Sequence, residues 1–265
     1  MTTKQIIATL VISLLPFSFT QAQTKEEPTS PQVIRAVMST AANGDQHGQF
    51  ALGYWYLYGE GVDKNVDEAI SWFQKSAIQG FRQAQTQLGH MYLLGRDVPQ
   101  DIDKAAMWLT KASDQGDAHS QFWLANMYRK GQGFTQSNEE AIKLYRMSAE
   151  QGFAGSQGAL GQFYLSGIGI GKDSKEAFKW FALAAEQGVP ALQGFVPAQV
   201  NLGSAYAQGK LTPRNLVFSY GWFRIAELKG HKESKEHLEK VKPFLDENQL
   251  KLAEQSALEW IEKYN

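Results

Sequence analysis

The sequence has no cysteine among its 265 residues, which excludes disulfide frameworks, thiolate-bound metals, iron–sulfur clusters and cysteine nucleophiles. It also has little excess charge, because 26 basic residues stand against 27 acidic ones for a formal net charge of −1. A chain this close to neutrality has no general field that attracts nucleic acid or an acidic membrane. Its composition is 43% hydrophobic and 20% charged, which excludes a fully disordered chain.

Long apolar runs are missing as well. The segment Ile6–Leu15 is mostly apolar but too short to span a bilayer as a helix. It follows Lys4 and precedes Thr20-Gln21-Ala22, which resembles the small residues before a cleavage site. We therefore expect a secretory signal peptide over 1–22 and a flexible leader over 23–31, with a periplasmic or secreted product that does not span a membrane. The alternative is an apolar N-terminus without a targeting role.

A repeat of 36 residues organises most of the chain. Each of the first four repeats begins near a glycine, carries a tyrosine 12 residues later and a second glycine 15 residues later, and the fifth keeps this spacing when it is counted from Gly194. Five phased copies predict stacked helical pairs, since fixed periods of this length are typical of solenoids. A six-residue insertion at 189–194 interrupts the fifth copy. The repeats start near Gly44, Gly80, Gly116, Gly152 and Gly188.

Local signals divide each repeat into two helices. The first helix is predicted over Gln46–Tyr58 in repeat one. Gly59 follows it and can end the helix by adopting the left-handed backbone conformation. The second helix begins after a residue whose side chain can accept a backbone N–H. We expect the solenoid to cover 32–230 and a C-terminal helical cap to cover 231–265. The five predicted N-cap residues are Asn65, Asp101, Ser137, Asp173 and Asn215.

The phased residues match a known family. Leu52-Gly53, Tyr56, Gly59 and Gly61-Val62 in repeat one, with their copies, resemble the Sel-one-like repeat (SLR) family. The resemblance implies an all-α fold, an α/α superhelical solenoid of five helix pairs with helical caps at both ends. Exported members of this family act as regulators of envelope signalling, as parts of secretion or motility machinery, or as immunity proteins against toxic effectors.

Residues that carry chemistry are sparse. The sequence has no H-E-x-x-H motif, no Walker-type glycine loop and no G-x-S-x-G motif. Glu233 and His237 are four residues apart and could share a metal, but they also fit a solvated charged helix. We therefore predict a non-enzymatic protein with no cofactor and no metal site. The alternative is a cell-wall hydrolase of the penicillin-binding or β-lactamase-like kind, whose SLR branch is cysteine-rich.

The family pattern requires no particular residue type at several positions of the first helix. In repeats one to three, these positions carry aromatic and histidine residues. We predict that they bind one protein partner on the concave face of a monomer. A few aromatic and arginine side chains supply most of the binding energy in typical protein–protein interfaces. The alternative is that some of them pack between repeats. Repeat three has Leu144 where other repeats have a tryptophan, and Trp123 could fill the space that this tryptophan would occupy. The candidate residues are His47, Phe50, Tyr54, Tyr58, His90, His119, Phe122, Trp123, Asn126 and Arg129.

Overall fold

The computed structural model describes residues 30–186, 198–209 and 213–264, and these residues form thirteen α-helices, one short 3-10 helix and no strands. The predicted signal peptide, the leader as far as residue 29 and the insertion at 189–194 lie outside the described residues. The helices are α1 Pro31–Ala42, α2 Gln46–Tyr58, α3 Val66–Ile78, α4 Arg82–Leu94, α5 Ile102–Asp114, α6 Ala118–Lys130, α7 Asn138–Glu150, α8 Ala154–Ser166, α9 Ser174–Glu186, α10 Ala198–Gln208, α11 Leu216–Leu228, α12 Ser234–Val241 and α13 Glu247–Tyr264, with the 3-10 helix at Lys242–Phe244.

Helix α1 begins at Pro31, the last residue of the predicted leader, and Ser30 is its N-cap. The Ser30 hydroxyl accepts the backbone N–H of Val33 at 3.3 Å. Proline suits the first helical position because its missing N–H would have no partner there.

The predicted starts of the second helices are confirmed. In all five, the side chain of the N-cap residue accepts a backbone N–H three residues later, at 3.0–3.2 Å. Each such cap stabilises a helix by about 1 kcal/mol. At the other end of the first helices, Gly59, Gly95 and Gly167 adopt positive φ angles of 72°, 65° and 75°, which a residue with a side chain adopts only at a cost.

The repeated small residue of the first helix has a direct packing reason. A Cβ atom on Gly53 would lie 2.6 Å from the Phe73 ring, and one on Gly161 would lie 2.6 Å from the Phe181 ring. Both phenylalanines are fully buried. The rings that require the glycines therefore come from the position after the repeated tryptophan.

Paired glutamines join successive parts of the solenoid, and we call each pair a glutamine bridge. Gln79 donates from Nε2 to Gln49 Oε1 at 2.7 Å and to the Gly44 carbonyl at 2.9 Å. Gln115 makes the same two bonds 36 residues later, to Gln85 at 2.7 Å and to the Gly80 carbonyl at 3.0 Å. Each bridge ties the end of a second helix to its own first helix and to the turn that precedes the repeat.

Contacts group the chain into two compact units, one ending at Ser120 and one starting at Gln121. In the first unit, α1 packs through Val33 and Val37 against a cluster that includes Leu52 and Trp55 of α2. In the second unit, α6 residues from Phe122 onward share a core with α7 and α8. None of the described helices has the length and apolarity needed to cross a membrane.

The C-terminal helices are present near their predicted positions. The last helix opens with a reciprocal capping box, in which Asp246 and Gln249 each accept the other's backbone N–H, at 2.8 and 3.0 Å. Helix α13 packs on α11, where Arg224 Nε donates to Glu254 at 2.9 Å and the Tyr220 hydroxyl donates to the same carboxylate at 3.0 Å. These bonds fix α13 on the outer side of the fifth repeat.

Candidate functional site: side chains of the first helices

All ten candidate residues lie on the first helices of repeats one to three. Those on α2, α4 and the start of α6 belong to the first unit, and those from Phe122 onward belong to the second. Each set is described within its own unit, and the burial of each side chain decides whether a partner could reach it.

Tyr54 and Tyr58 form an accessible aromatic feature of the first unit. They are four residues apart on α2, so they share one face. Their rings stack with centroids 5.7 Å apart and planes 19° from parallel. Tyr58 is 47% exposed. The Tyr54 hydroxyl donates to Gln87 Oε1 of α4 at 3.1 Å, and we call Tyr54, Tyr58 and Gln87 the tyrosine surface.

The electrostatics of this surface are simple. Burial, with a smaller contribution from Tyr58, raises the pKa of Tyr54 to about 12. Its hydroxyl is therefore protonated throughout the physiological range and remains a hydrogen-bond donor. Gln87 was not among the predicted site residues, although it occupies one of the free first-helix positions, because a glutamine alone gives no signal of its partner.

Phe50 is a core residue, which corrects the expectation that it contacts a partner. It is 4% exposed, because Phe73 and Phe81 cover it with ring centroids 5.7 and 5.0 Å away. Phe50 also meets the Tyr54 ring edge-on at 4.9 Å. Phe50 therefore packs against the buried side of the tyrosine surface. His47 is half-buried edge-on to Phe81, with centroids 4.8 Å apart.

His90 of α4 and His119 of α6 contact each other in the first unit. Their rings are edge-to-face, with centroids 4.6 Å apart and planes at 72°. Burial lowers the pKa of His90 to about 4, with help from His119 and Arg96 and against the attraction of Asp117. Burial also lowers the pKa of His119, again opposed by Asp117. Both rings are therefore neutral at neutral pH.

Polar bonds around Asp117 fix the start of α6 beside these histidines. Asp117 Oδ1 accepts the Ser120 backbone N–H at 2.7 Å and the Thr86 hydroxyl at 3.3 Å. Arg82 lies within 3.9 Å of the same carboxylate. The carboxylate is thus engaged in capping and an ion pair.

In the second unit, two predicted site residues are structural. Phe122 is 2% exposed and belongs to the core. Asn126 is buried, donates to the Phe122 carbonyl at 3.0 Å and accepts from the Tyr145 hydroxyl at 3.0 Å. Both expectations of partner contact are corrected, because the first helix turns these side chains inward against α7.

Trp123 and Arg129 remain at the surface of this unit. Trp123 is half-buried and meets Phe122 edge-on at 5.3 Å. It packs against the core cluster that contains Leu144. Arg129 is half-buried, and its Nη2 donates to Asn126 Oδ1 at 3.4 Å.

The histidines of the C-terminal cap have structural contacts. His237 stacks on Phe223, with centroids 4.7 Å apart and planes 12° from parallel, and His231 pairs with Glu233 at 3.0 Å. Within 30–186, 198–209 and 213–264, no group of three or more histidine, aspartate or glutamate side chains could hold a metal ion.

Comparisons with known proteins agree with the repeat pattern. The family model described as Sel1 repeat matches residues 46–81, 82–117, 118–153, 154–189 and 196–231. No curated protein matches the chain. Among solved structures, a Sel1 repeat protein from Oxalobacter formigenes is similar at 29% identity and a TM-score of 0.68, over 84% of this chain and 85% of that one.

A second solved structure is similar over nearly the whole chain. It is c5321, a protective antigen of uropathogenic Escherichia coli strains that displays an SLR fold, at 28% identity and a TM-score of 0.62. The match covers 97% of this chain but 61% of that one, so the present chain spans less than two thirds of its length. These likenesses place the five repeats and their helices, and they assign no partner.

Proposed function

Because the chain belongs to the Sel1 repeat family, whose repeats mediate protein–protein interaction and are typically non-enzymatic, we propose that it is an exported scaffold that binds one protein partner through its first helices. The partner is a component of the cell envelope or a secreted toxic effector, and the chain acts as an envelope regulator or an immunity protein. The proposal assigns no reaction to the chain.

The tyrosine surface is the observation that carries the proposal. Tyr58 is 47% exposed although it is large and aromatic, and Phe50 and Gln87 hold its stacking partner Tyr54 in one orientation. A rigid aromatic side chain loses little conformational entropy on binding, and interface energy concentrates in such residues. Neutral tyrosine and glutamine groups suit a protein surface better than a nucleic acid or an acidic membrane.

Export is the second part of the proposal. It rests on the short, mostly apolar segment Ile6–Leu15 between Lys4 and the small residues before Gln23. Fusion of residues 1–30 to a reporter that is active only outside the cytoplasm tests it. An inactive reporter in the source organism would contradict export.

Capture of the partner tests the binding surface. Tagged chain from Gln23 to Asn265 is incubated with envelope extract, and bound proteins are identified by mass spectrometry. Tyr58→Ala should lose the dominant partner, because it removes an exposed ring with little effect on the core. Ile78→Ala is the matched control, since Ile78 is 75% exposed on α3, outside the first helices. Equal capture by both variants would overturn the assignment of the tyrosine surface.

A further inference from the structure

The second helix of repeat five differs from its copies at positions that face outward. Phe218 stands where repeat one has Glu68, and Ile225 stands where repeat one has Lys75. Gly221 occupies the position of Lys179 in repeat four. Apolar and small residues replace charged ones here because α13 packs on this side of α11, with Ala253 and Ala257 fully buried.

Helices α11 and α13 do not fill the space between them. A pocket of about 250 Å³, partly open to solvent, lies between α10, α11 and α13. Gly221 opens its floor, since a Cβ atom there would meet only the Ala253 carbonyl, at 3.7 Å. The walls are aromatic, with Trp222 and Trp260 at 5.9 Å and Tyr206 and Phe218 at 5.4 Å between centroids, both pairs edge-to-face.

The lining limits what the cavity can hold. None of the described residues that line it is charged, and Ser256 contributes a hydroxyl at the exposed edge. An enclosed apolar cavity of about 150 Å³ in another protein holds benzene, so the space of about 250 Å³ in this partly open pocket is large enough for two fused rings. Aromatic walls at these angles offer edge-to-face contacts to a further ring.

The charge nearby disfavours a cation, although aromatic cages often bind cations. Lys229 Nζ lies 6.0 Å from the centroid of the Trp260 ring, and its ammonium group would repel a positively charged ligand. We propose that this cavity binds a small neutral aromatic compound of about two fused rings, with its polar atom, where it has one, towards Ser256. This site is independent of the tyrosine surface.

Calorimetric titration with indole tests the proposal. Indole is neutral, has two fused rings and carries one N–H. The chain from Gln23 to Asn265 should bind it at one saturable site, and binding should shift the indole N–H signals of Trp222 and Trp260 in nuclear magnetic resonance spectra. Tetramethylammonium serves as the cationic probe and should not bind.

A matched pair of variants locates the site. Gly221→Met should fill the cavity, weaken indole binding at least about tenfold and raise the melting temperature. Lys179→Met places the same residue at the same repeat position on an exposed part of α9 and should bind indole like the unmodified chain. Should Gly221→Met fail to fold, the spectral shifts of the unmodified chain decide the question.

Three results would overturn the proposal. The first is the absence of saturable heat and of shifts at Trp222 and Trp260, which would make the cavity a packing gap. The second is unchanged indole affinity in a folded Gly221→Met variant. The third is binding of tetramethylammonium in preference to indole, which would show that the site takes cations.

Discussion

Mild acid should destabilise the first unit through His90. Burial against His119, with Arg96 nearby, lowers the pKa of His90 from 6.5 to about 4. The folded chain therefore binds this proton less tightly than the unfolded chain does. The neutral ring makes its full contribution to the free energy of unfolding above about pH 6.5. This contribution falls as the pH drops below that value and is lost below about pH 4.

The size of the effect follows from these two pKa values. Between about pH 7 and about pH 5, the linkage relation gives a loss of about 2 kcal/mol in the free energy of unfolding from His90 alone. His119 adds a loss of the same sign, since burial lowers its pKa as well. Asp117, which Arg82 partly neutralises, opposes both shifts.

Urea unfolding at the two pH values measures this loss. Other groups titrate in the same range, so the informative quantity is the difference between the unmodified chain and His90→Gln. The variant should lose about 2 kcal/mol less on acidification, and hydrogen exchange of the α4 amides should place the difference in the first unit. Equal losses in both proteins would refute the argument from the buried pair.

Two further substitutions test the packing and the polar contacts of the solenoid. Gly161→Val should cost about 1–3 kcal/mol, because its Cβ atom would lie 2.6 Å from the Phe181 ring; Gly158→Ala is the control, since a Cβ atom there has no neighbour within 4 Å, and urea unfolding should show it unchanged or slightly stabilised. Gln115→Leu should cost about 1–3 kcal/mol, because it removes the bond to Gln85 at 2.7 Å and the one to the Gly80 carbonyl at 3.0 Å. A melting temperature unchanged by that substitution would show that the glutamine bridge contributes nothing to stability.

The fold could be predicted from the sequence because its signals are local and repeated. Asn65 caps α3 through its own side chain and a backbone N–H three residues away, and Gly59 ends α2 through its own backbone angle. Such features depend on a few neighbouring residues. Their recurrence every 36 residues then identifies the solenoid.

The site could be predicted less well because burial depends on residues far along the chain. Phe50 and Tyr54 are four apart on one helix face, yet Phe73 and Phe81 cover the first ring and leave the second half-buried. The sequence predicts an accessible Asn126, but its side chain is buried and one of its partners is the hydroxyl of Tyr145, 19 residues away. No pattern of residue types fixes such contacts before the helices are packed.

The glutamine bridges set the step by which this chain can change its length. Gln79 reaches back to the Gly44 carbonyl, and Gln115 reaches back to the Gly80 carbonyl, over the same 35 residues. Excision of residues 46–81 would bring Gln115 into line with Gly44 and preserve the bond, whereas excision of one residue more or fewer would misalign it. We therefore expect such a chain to keep its bridges when whole repeats are gained or lost, and to tolerate shorter insertions where no bridge spans them.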